Sequence, residues 1–237
     1  MTERSAMTDA TAELRAKTLR VHHALLDHYG PPRKKERRDP LSELIVTILS
    51  QNTADVNTER AYRRLRERFA TWEEALAAPV EEIQAAIRVA GLSQIKAPRI
   101  RAILEDLDRE RGAPSLDFLA DLPVGEAREY LTSLHGVGHK TAACVLLFSL
   151  HMPALPVDTH VHRVALRLGL VPPKTSAERA NALLEDLVPE DLYYPFHLLF
   201  IEHGRTLCKA QRPRCPECPV SGECVYYREE YLPERDA

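Results

Sequence analysis

The chain has 237 residues, and 44% of them are hydrophobic, which is enough to build one large core or two small ones. No apolar run approaches a membrane span, and the amino terminus, MTERSAMTDATAELR, is polar where a secretory signal would be apolar. The formal net charge is −3, so a nucleic-acid partner would have to be met by a local basic patch. These features predict a globular cytoplasmic protein whose thiols stay reduced.

The first half of the chain is predicted to be a succession of helices, because no stretch shows sustained strand alternation. A first helix should end at Gly30, which precedes two prolines. Asp39 should cap the next helix, with Pro40 in its first turn. Thr71, three residues before a glutamate, has the capping-box pattern, and Gly91 should close a later helix. The sequence therefore predicts an all-α protein.

The second half continues in the same way. A nearly all-apolar helix is expected from His139 to Leu150, and it must be central because it has almost no polar face. Gly204 is expected to end the last of three later helices. These are expected over residues 159–169, 177–188 and 193–203.

Two glycines, Gly136 and Gly138, bracket Val137 between two predicted helices. Backbone N–H groups of such a hairpin, with the following helix start, form a site for a phosphate, but a simple helix–turn–helix corner explains the glycines equally well. Lys140 favours the functional alternative, since a cation in the first turn of a helix opposes the helix dipole. That dipole favours the neutral amine, which a lysine needs in order to attack carbon and form a Schiff base.

Asp158 enters a new helix in the segment Val157-Asp158-Thr159-His160. An aspartate in this position is by default an N-cap. The alternative role is a carboxylate that faces the lysine and assists its chemistry. The residues alone leave both roles open.

Four of the five cysteines share one short segment near the end of the chain, separated by six, two and five residues. They are Cys208, Cys215, Cys218 and Cys224. Four thiolates in a tight, proline-containing loop hold either tetrahedral zinc or an iron–sulfur cluster, and the spacing matches neither common ferredoxin pattern. Both metals therefore remain open at this point. The fifth cysteine, Cys144, is expected to be a small core residue.

Together, the hairpin segment ending in Lys140, the segment around Asp158 and the cysteine loop resemble endonuclease III, a family of helix–hairpin–helix DNA glycosylases and abasic-site lyases. The resemblance covers about residues 12–228. It implies a [4Fe–4S] cluster rather than zinc. It also implies that Lys140 attacks C1′ of a damaged nucleotide flipped out of the duplex, and that Asp158 stabilises positive charge or aids proton transfer.

The resemblance implies an all-α fold of two helical domains with a DNA-binding cleft between them. A six-helix barrel with the hairpin would span residues 35–151, and a discontinuous cluster domain would combine residues 12–34 and 152–228. Residues 1–11 would be a disordered tail, and residues 229–237 a carboxy-terminal tail. The expected partner is damaged double-stranded DNA, bound by a monomer that would be nucleoid-associated in a bacterial cell.

DNA contacts are expected from several groups in this reading. Either Gln51 or Asn52, together with Leu92, should fill the gap that a flipped nucleotide leaves. The other expected DNA-binding residues are Gly136, Val137, Gly138, His139, His160, Lys209, Arg212 and Arg214. His139 stands where the family commonly has arginine, and His135 where it commonly has proline, so phosphate binding is expected to be weaker or pH-sensitive.

The leading functional hypothesis is a bifunctional glycosylase and abasic-site lyase that acts on oxidised pyrimidines. A mismatch or alkyl-base glycosylase of the same superfamily is one alternative, although adenine-specific relatives usually lack the lysine at Lys140. A non-catalytic DNA-binding iron–sulfur redox protein is another. Neither DNA docking nor cluster ligation needs Lys140 and Asp158, so their presence together argues for catalysis.

Overall fold

The computed structural model describes residues 2–33 and 36–232. The chain forms two compact units, Met1–Lys35 with Pro153–Ala237, and Glu36–Met152. The sequence predicted these boundaries at 34/35 and 151/152, each one residue before the boundary in the structure. One unit is thus continuous in sequence, and the other joins the beginning of the chain to its end.

Within the described ranges the structure contains eleven α-helices and no β-strand. The helices are α1 (Thr2–Tyr29), α2 (Pro40–Ser50), α3 (Asp55–Arg68), α4 (Trp72–Ala77), α5 (Val80–Ala86), α6 (Ser93–Arg111), α7 (Val124–Ser133), α8 (His139–Phe148), α9 (Thr159–Leu168), α10 (Ala177–Leu187) and α11 (Tyr193–Thr206). Short 3-10 helices occur at Arg88–Ala90, Asp117–Asp121, Glu190–Leu192, Cys215–Glu217 and Ser221–Glu223, and a π-helical turn at Tyr227–Tyr231. The all-α prediction is confirmed.

The unit Glu36–Met152 contains α2 to α8 in its described residues, one helix more than the six expected. The additional helix arises because Pro79 separates α4 from α5 and supplies the N-cap of α5. A proline has no backbone N–H and cannot continue the preceding helix, so the two short helices stay distinct.

The centre of this unit is the packing of α2 against α8. In α8 every residue from Thr141 to Leu147 is buried, as the apolar sequence predicts. The Asp39 cap is also confirmed, because its Oδ1 accepts a hydrogen bond from the Ser42 N–H at 2.9 Å. Helix α8 ends at Phe148, two residues earlier than expected. The next residue, Ser149, is fully buried, and its hydroxyl donates to the Arg38 carbonyl at 2.7 Å.

The discontinuous unit is built around α11, which packs against α9 and α1. The rings of Phe196 and Phe200 stack with centroids 3.9 Å apart, and both side chains are fully buried. Val21 and Leu25 of α1 are also completely buried. Each such side chain contributes about 1.5–3 kcal/mol of burial free energy, so these four residues form a substantial part of this core.

The expectation that Gly204 ends the last helix is wrong, because α11 continues through Thr206. Gly204 is instead the point where α11 approaches α9. A Cβ atom at this position would lie 2.9 Å from the His160 Cβ, closer than such atoms pack. The missing side chain therefore permits a close helix contact.

Both expected tails contain helical residues. The first helix already begins at Thr2, so residues 2–11 belong to α1. No proline or glycine interrupts the sequence before Gly30, and alanine and glutamate there favour helix. At the other end, residues 229–231 belong to the π-helical turn, and residues 233–237 lie outside the described ranges.

Among the helices that the structure describes, none has the length and apolar character needed to cross a membrane.

Candidate functional site

The glycine hairpin lies between α7 and α8 and is closed by a hydrogen bond from the Val137 N–H to the Leu134 carbonyl at 3.1 Å. Gly136 has a φ of 74°, which favours glycine, and the Arg99 side chain fills the space where a Cβ would be, with Cδ at 2.9 Å. Gly138 is the N-cap of α8, and a Cβ there would meet nothing within 4 Å. The hairpin is thus supported on one side and open at the start of α8.

Lys140 is the second residue of α8 and is half-buried, next to the exposed His139. The following residues, Thr141 and Ala142, point into the core. The helix therefore fixes the backbone of Lys140 while its side chain stays partly accessible. His135, before the hairpin glycines, is exposed as well.

Asp158 lies in the other unit and is the N-cap of α9. Its Oδ1 accepts hydrogen bonds from the backbone N–H groups of His160 at 2.9 Å and Val161 at 2.8 Å. The capping role that the sequence suggested is therefore confirmed. Both bonds use the same oxygen, and the carboxylate is only half-buried.

His160 is half-buried beside Asp158, and its Nδ1 lies 3.1 Å from Nη2 of Arg163. A guanidinium can only donate, so this Nδ1 accepts and the proton of the neutral ring is on Nε2. Nη2 of the same arginine also donates to the Gly204 carbonyl at 2.8 Å. His160 is thus part of the α9–α11 contact.

The turn after α2 contains the two amide residues expected to fill a gap in DNA. Gln51 ends α2, and its side-chain Oε1 accepts a hydrogen bond from Arg99 Nη1 at 2.9 Å. Asn52 is exposed and has a φ of 53°, which is the left-handed conformation. The two amides therefore have different surroundings, a distinction that their order in the sequence did not reveal.

Leu92 lies in a second turn, directly after Gly91. It has a φ of 49°, and 52% of its surface is exposed although it is a large apolar residue. The two turns are joined by a hydrogen bond of 2.5 Å from the Thr53 hydroxyl to the Ala90 carbonyl. The structure therefore brings Asn52 and Leu92 onto neighbouring turns of one unit.

Three of the four cysteines lie close to Arg167 or His203. Cys208 Sγ accepts a hydrogen bond from Arg167 Nη1 at 3.4 Å, and Cys224 Sγ lies 3.2 Å from the Arg167 carbonyl oxygen. Cys218 Sγ lies 3.6 Å from Nε2 of His203. No group of three or more His, Cys, Asp or Glu side chains in residues 2–33 and 36–232 is arranged to hold a metal ion.

Burial, and to a smaller extent the charges of nearby cysteines, raises the pKa of the Cys215 thiol to about 11 and that of Cys218 to about 12. Burial also raises the pKa of Cys224. Thiols in such surroundings stay protonated unless a cation compensates the thiolate charge. The donor set, four sulfurs without carboxylates, therefore fits zinc or an iron–sulfur cluster.

Two arginines of α9 support the cysteine loop, and sequence reasoning missed both. Arg163 Nε donates to the Cys208 carbonyl at 3.0 Å. Arg167 donates to the Lys209 carbonyl at 2.7 Å and to the Ala210 carbonyl at 3.1 Å. Their spacing of four residues on one helix face was the available signal, but a charged helix face is usually solvated.

The three expected cations of the cysteine loop are all exposed. Arg214 forms an ion pair with Glu217, with its Nε 2.8 Å from Oε1, and this hydrogen bond raises the pKa of the arginine. Lys209 and Arg212 have exposed side chains on the same loop. The positive charge of the loop is therefore concentrated at these two residues.

Known proteins resemble this chain in sequence and in fold. Residues 45–190 match the family described as HhH-GPD superfamily base excision DNA repair protein. Endonuclease III of Thermotoga maritima is 41% identical over 197 residues, which cover 83% of this chain and 88% of that protein.

Two solved structures extend the likeness to the whole fold. A non-covalent endonuclease III–DNA complex has a TM-score of 0.75 and 28% identity, over 98% of this chain and 100% of that one. A trapped covalent endonuclease III–DNA intermediate with an estranged adenine has a TM-score of 0.77 and 29% identity, over 92% and 98%. This chain belongs to the HhH-GPD superfamily of base excision DNA repair proteins.

Proposed function

We propose that this protein is a bifunctional DNA glycosylase and abasic-site lyase that removes oxidised pyrimidines from damaged duplex DNA. The observation that carries the proposal is the position of Lys140, the second residue of α8, directly after a glycine hairpin that is open at the helix start. A partly accessible amine next to a phosphate-binding backbone suits covalent attack on a nucleotide. Membership of a base excision repair family supports the same chemistry.

The reaction would begin when the neutral Nζ of Lys140 forms a bond to C1′ of a flipped nucleotide. The bond from C1′ to the base breaks, and the base leaves with the bonding electrons and takes up a proton. The sugar ring then opens to give a Schiff base. Loss of a proton from C2′ expels the 3′ phosphate by β-elimination, and water hydrolyses the Schiff base to regenerate the amine.

Asp158 would stabilise the positive charge that develops at C1′ or aid the proton transfers. Its role as the cap of α9 does not prevent this, because a single oxygen accepts both capping hydrogen bonds. The cap instead fixes the orientation of the carboxylate, as catalytic groups require.

The hairpin would bind one DNA phosphate through backbone N–H groups. Gly138 has no side chain that could cap α8, so the first turn of that helix can accept an anion. Exposed His139 would add positive charge when protonated. Lys209 and Arg212 would contact further phosphates, and Arg214 would do so less because Glu217 neutralises part of its charge.

Asn52, rather than Gln51, is assigned here to the gap left by the flipped nucleotide. Gln51 is held by Arg99, whose side chain also packs on Gly136. Asn52 is exposed on the neighbouring position, and the exposed Leu92 on the second turn would fill the other part of the gap. His160 packs against Arg163 and Gly204, and we therefore assign it to supporting α9 rather than to DNA.

A [4Fe–4S] cluster would be held by Cys208, Cys215, Cys218 and Cys224. When bound, it would supply a rigid covalent cross-link of the loop rather than hydrolytic chemistry. Arg167 and His203 would orient the thiolates of Cys208 and Cys218 through the contacts described above. The loop would then present Lys209 and Arg212 to the DNA backbone.

Borohydride reduction in the presence of abasic duplex DNA tests this proposal. Reduction of the Schiff base should give a covalent protein–DNA complex with the wild-type protein and with the surface variant Lys174→Gln. Lys140→Gln should bind the same DNA but form no covalent complex. Wild-type protein that forms no such complex, or full trapping by Lys140→Gln, would contradict the proposed mechanism.

A further inference from the structure

A buried cation, Lys96, lies between the two turns that contain Asn52 and Leu92. Only 2% of its surface is exposed. Its Nζ donates to the Leu49 carbonyl at 2.8 Å, to the Thr53 hydroxyl at 2.8 Å and to the Ala90 carbonyl at 3.0 Å. A lysine ammonium has three N–H groups, so these three acceptors match all of them.

The three acceptors belong to different segments of the chain. Leu49 lies at the end of α2, where free carbonyls and the helix dipole favour a cation. Ala90 ends the 3-10 helix before the second turn. Thr53 follows Asn52 and also donates to Ala90 at 2.5 Å. Lys96 and Thr53 together, called the clamp below, therefore tie both turns at one point.

The residues that flank the clamp have strained backbones. Asn52 and Leu92 have positive φ values of 53° and 49°, and Leu92 in particular lacks the polar side chain that eases this conformation. A non-glycine residue in this conformation is energetically unfavourable and persists where its surroundings fix it. The clamp supplies that constraint on both turns.

Stability alone does not account for a lysine at this position. Lys96 lies on the buried face of α6 with Ile100 and Ile103, where an apolar residue would avoid the cost of burying a charge. Burial, and to a smaller extent the neighbouring charge of Arg99, lowers the pKa of Lys96. A cap of α2 alone would need only the Leu49 carbonyl, yet two of the three hydrogen bonds join the turns.

We propose that Lys96 is a positioning residue that holds Asn52 and Leu92 at a fixed spacing, so that both enter the DNA stack together when a nucleotide is flipped out. This inference rests on the proposed glycosylase function. Ordering an interface side chain on binding costs conformational entropy, and a pair that is already ordered avoids much of this cost. The clamp therefore acts on the flipping step and not on the chemistry of Lys140.

Thr53 offers a matched pair of variants for the test. Thr53→Val keeps the shape of the side chain but removes the hydroxyl that links Lys96 to Ala90, whereas Thr53→Ser keeps the hydroxyl. Lys96→Met removes the ammonium itself, so the Leu49 carbonyl loses this donor and the Ala90 carbonyl keeps only the Thr53 hydroxyl. If Lys96→Met does not fold, the Thr53 pair still decides the outcome.

The first measurement is amide hydrogen exchange of the free protein. In Thr53→Val, exchange should accelerate about fivefold in residues 50–53 and 90–93 together, because the hydroxyl that bonds to Gln51, Ala90 and Lys96 is lost. Thr53→Ser should exchange as the wild type does. Unchanged exchange, or acceleration in one turn alone, would overturn the clamp.

The second measurement compares two DNA substrates under single-turnover conditions. Thr53→Val should excise a paired lesion about tenfold more slowly, yet cleave DNA with a preformed abasic site within about threefold of the wild-type rate, because no base has to be extruded there. Equal slowing on both substrates would mean a purely structural role and would overturn the proposal. If the wild type acts on neither DNA, the glycosylase assignment fails, while the exchange result still decides whether the clamp joins the turns.

Discussion

At the scale of single residues, Asp158 caps a helix, and we propose a catalytic role for the same carboxylate. Its Oδ1 caps α9, and asparagine caps helices as well as aspartate does. The free energy of unfolding of Asp158→Asn, measured in urea, should therefore lie within about 1 kcal/mol of the wild-type value. Its single-turnover rate of base excision should fall a hundredfold or more, because the negative charge is lost.

Asp39 provides the matched control for this variant. It caps α2 through one hydrogen bond, accepting from the Ser42 N–H at 2.9 Å, and has no proposed role in catalysis. Asp39→Asn should leave both the urea midpoint and the excision rate nearly unchanged. Normal excision by Asp158→Asn would reduce its role to capping.

We expect buried His22 of α1 to make the stability of the protein depend on pH. The ring is buried against Phe196, with centroids 6.3 Å apart, and its Nδ1 has no hydrogen-bond partner in the described part of the chain. Burial, and then the charge of His23, lowers the pKa of His22 below the ordinary 6.5. The unfolded chain therefore takes up a proton at a higher pH than the folded one, and stability is lost as pH falls below about 6.5.

Urea unfolding between pH 7.5 and about 5 measures this dependence. His22→Leu should reduce the slope of unfolding free energy against pH, because the variant has no proton to take up at this position. The part due to His203, whose pKa burial lowers to about 4, should remain. His151→Asn, which replaces an exposed histidine of φ 55°, should keep the wild-type slope. A slope that is equally steep in His22→Leu would show that another group is responsible.

The sequence was informative about residues whose chemistry depends on local position. Lys140 was predicted to follow a hairpin and Asp158 to begin a helix, and the structure has both positions, because each signal lies within a few residues. Lys96 was missed because a lysine near an apolar helix face usually extends to solvent, and its partner Leu49 is 47 residues away in sequence. The choice between Gln51 and Asn52 likewise depended on Arg99, 48 residues from Gln51.

At the scale of helices, the contact between α9 and α11 depends on Gly204. Gly204→Ala would place a Cβ 2.9 Å from His160 Cβ and 3.0 Å from its Nδ1. The backbones must then move apart, and we expect a loss of about 1–3 kcal/mol in unfolding free energy. Thermal and urea unfolding measure it.

Gly125→Ala is the control for this prediction. Gly125 lies inside α7, and a Cβ there would meet nothing within 4 Å. Alanine has the higher helix propensity, so this variant should gain about 0.5–1 kcal/mol. If both substitutions stabilise the protein, the contact between α9 and α11 does not require a glycine at position 204.

The predicted helix starts are confirmed, and so are the ends at Gly30 and Gly91, whereas the end at Gly204 is wrong. Asp39 and Thr71 both cap as expected, and the Thr71 hydroxyl accepts from the Glu74 N–H at 3.2 Å. A cap is a local hydrogen bond that sequence spacing specifies. Gly204 failed as an end signal because glycine is favoured both where a helix stops and where two helices touch, and only packing distinguishes these cases.

At the scale of the whole molecule, we expect a metal group bound by the cysteine loop to stabilise the discontinuous unit. The loop has little regular structure beyond two single-turn 3-10 helices, Cys215–Glu217 and Ser221–Glu223. Its thiols are partly or fully buried, and burial disfavours their charged forms. A bound metal group would offset that cost and cross-link the loop.

Anaerobically purified protein should therefore contain iron and inorganic sulfide, with visible absorbance that chelation removes. Removal should lower the unfolding temperature, because ligand-binding free energy is lost from the folded state. Cys144→Ala should keep the full iron content, since that buried thiol lies in the other unit. Colourless protein with stoichiometric zinc would instead establish the zinc alternative.

The substrate preference depends on residues from several parts of the molecule. The proposed attack by Lys140 would combine excision and strand cleavage at one site, and oxidised pyrimidines such as thymine glycol stack poorly, which lowers the free energy needed to flip them. Asparagine is shorter than glutamine, so Asn52 should fill the vacated space less completely, and His139 is a weaker phosphate ligand than arginine at neutral pH. In a panel of defined lesions, we expect robust cleavage at abasic sites, measurable excision of thymine glycol, and little action on 8-oxoguanine or on undamaged adenine opposite it. Excision of adenine or an alkylpurine as the main activity would overturn the pyrimidine assignment and leave the lysine chemistry in place.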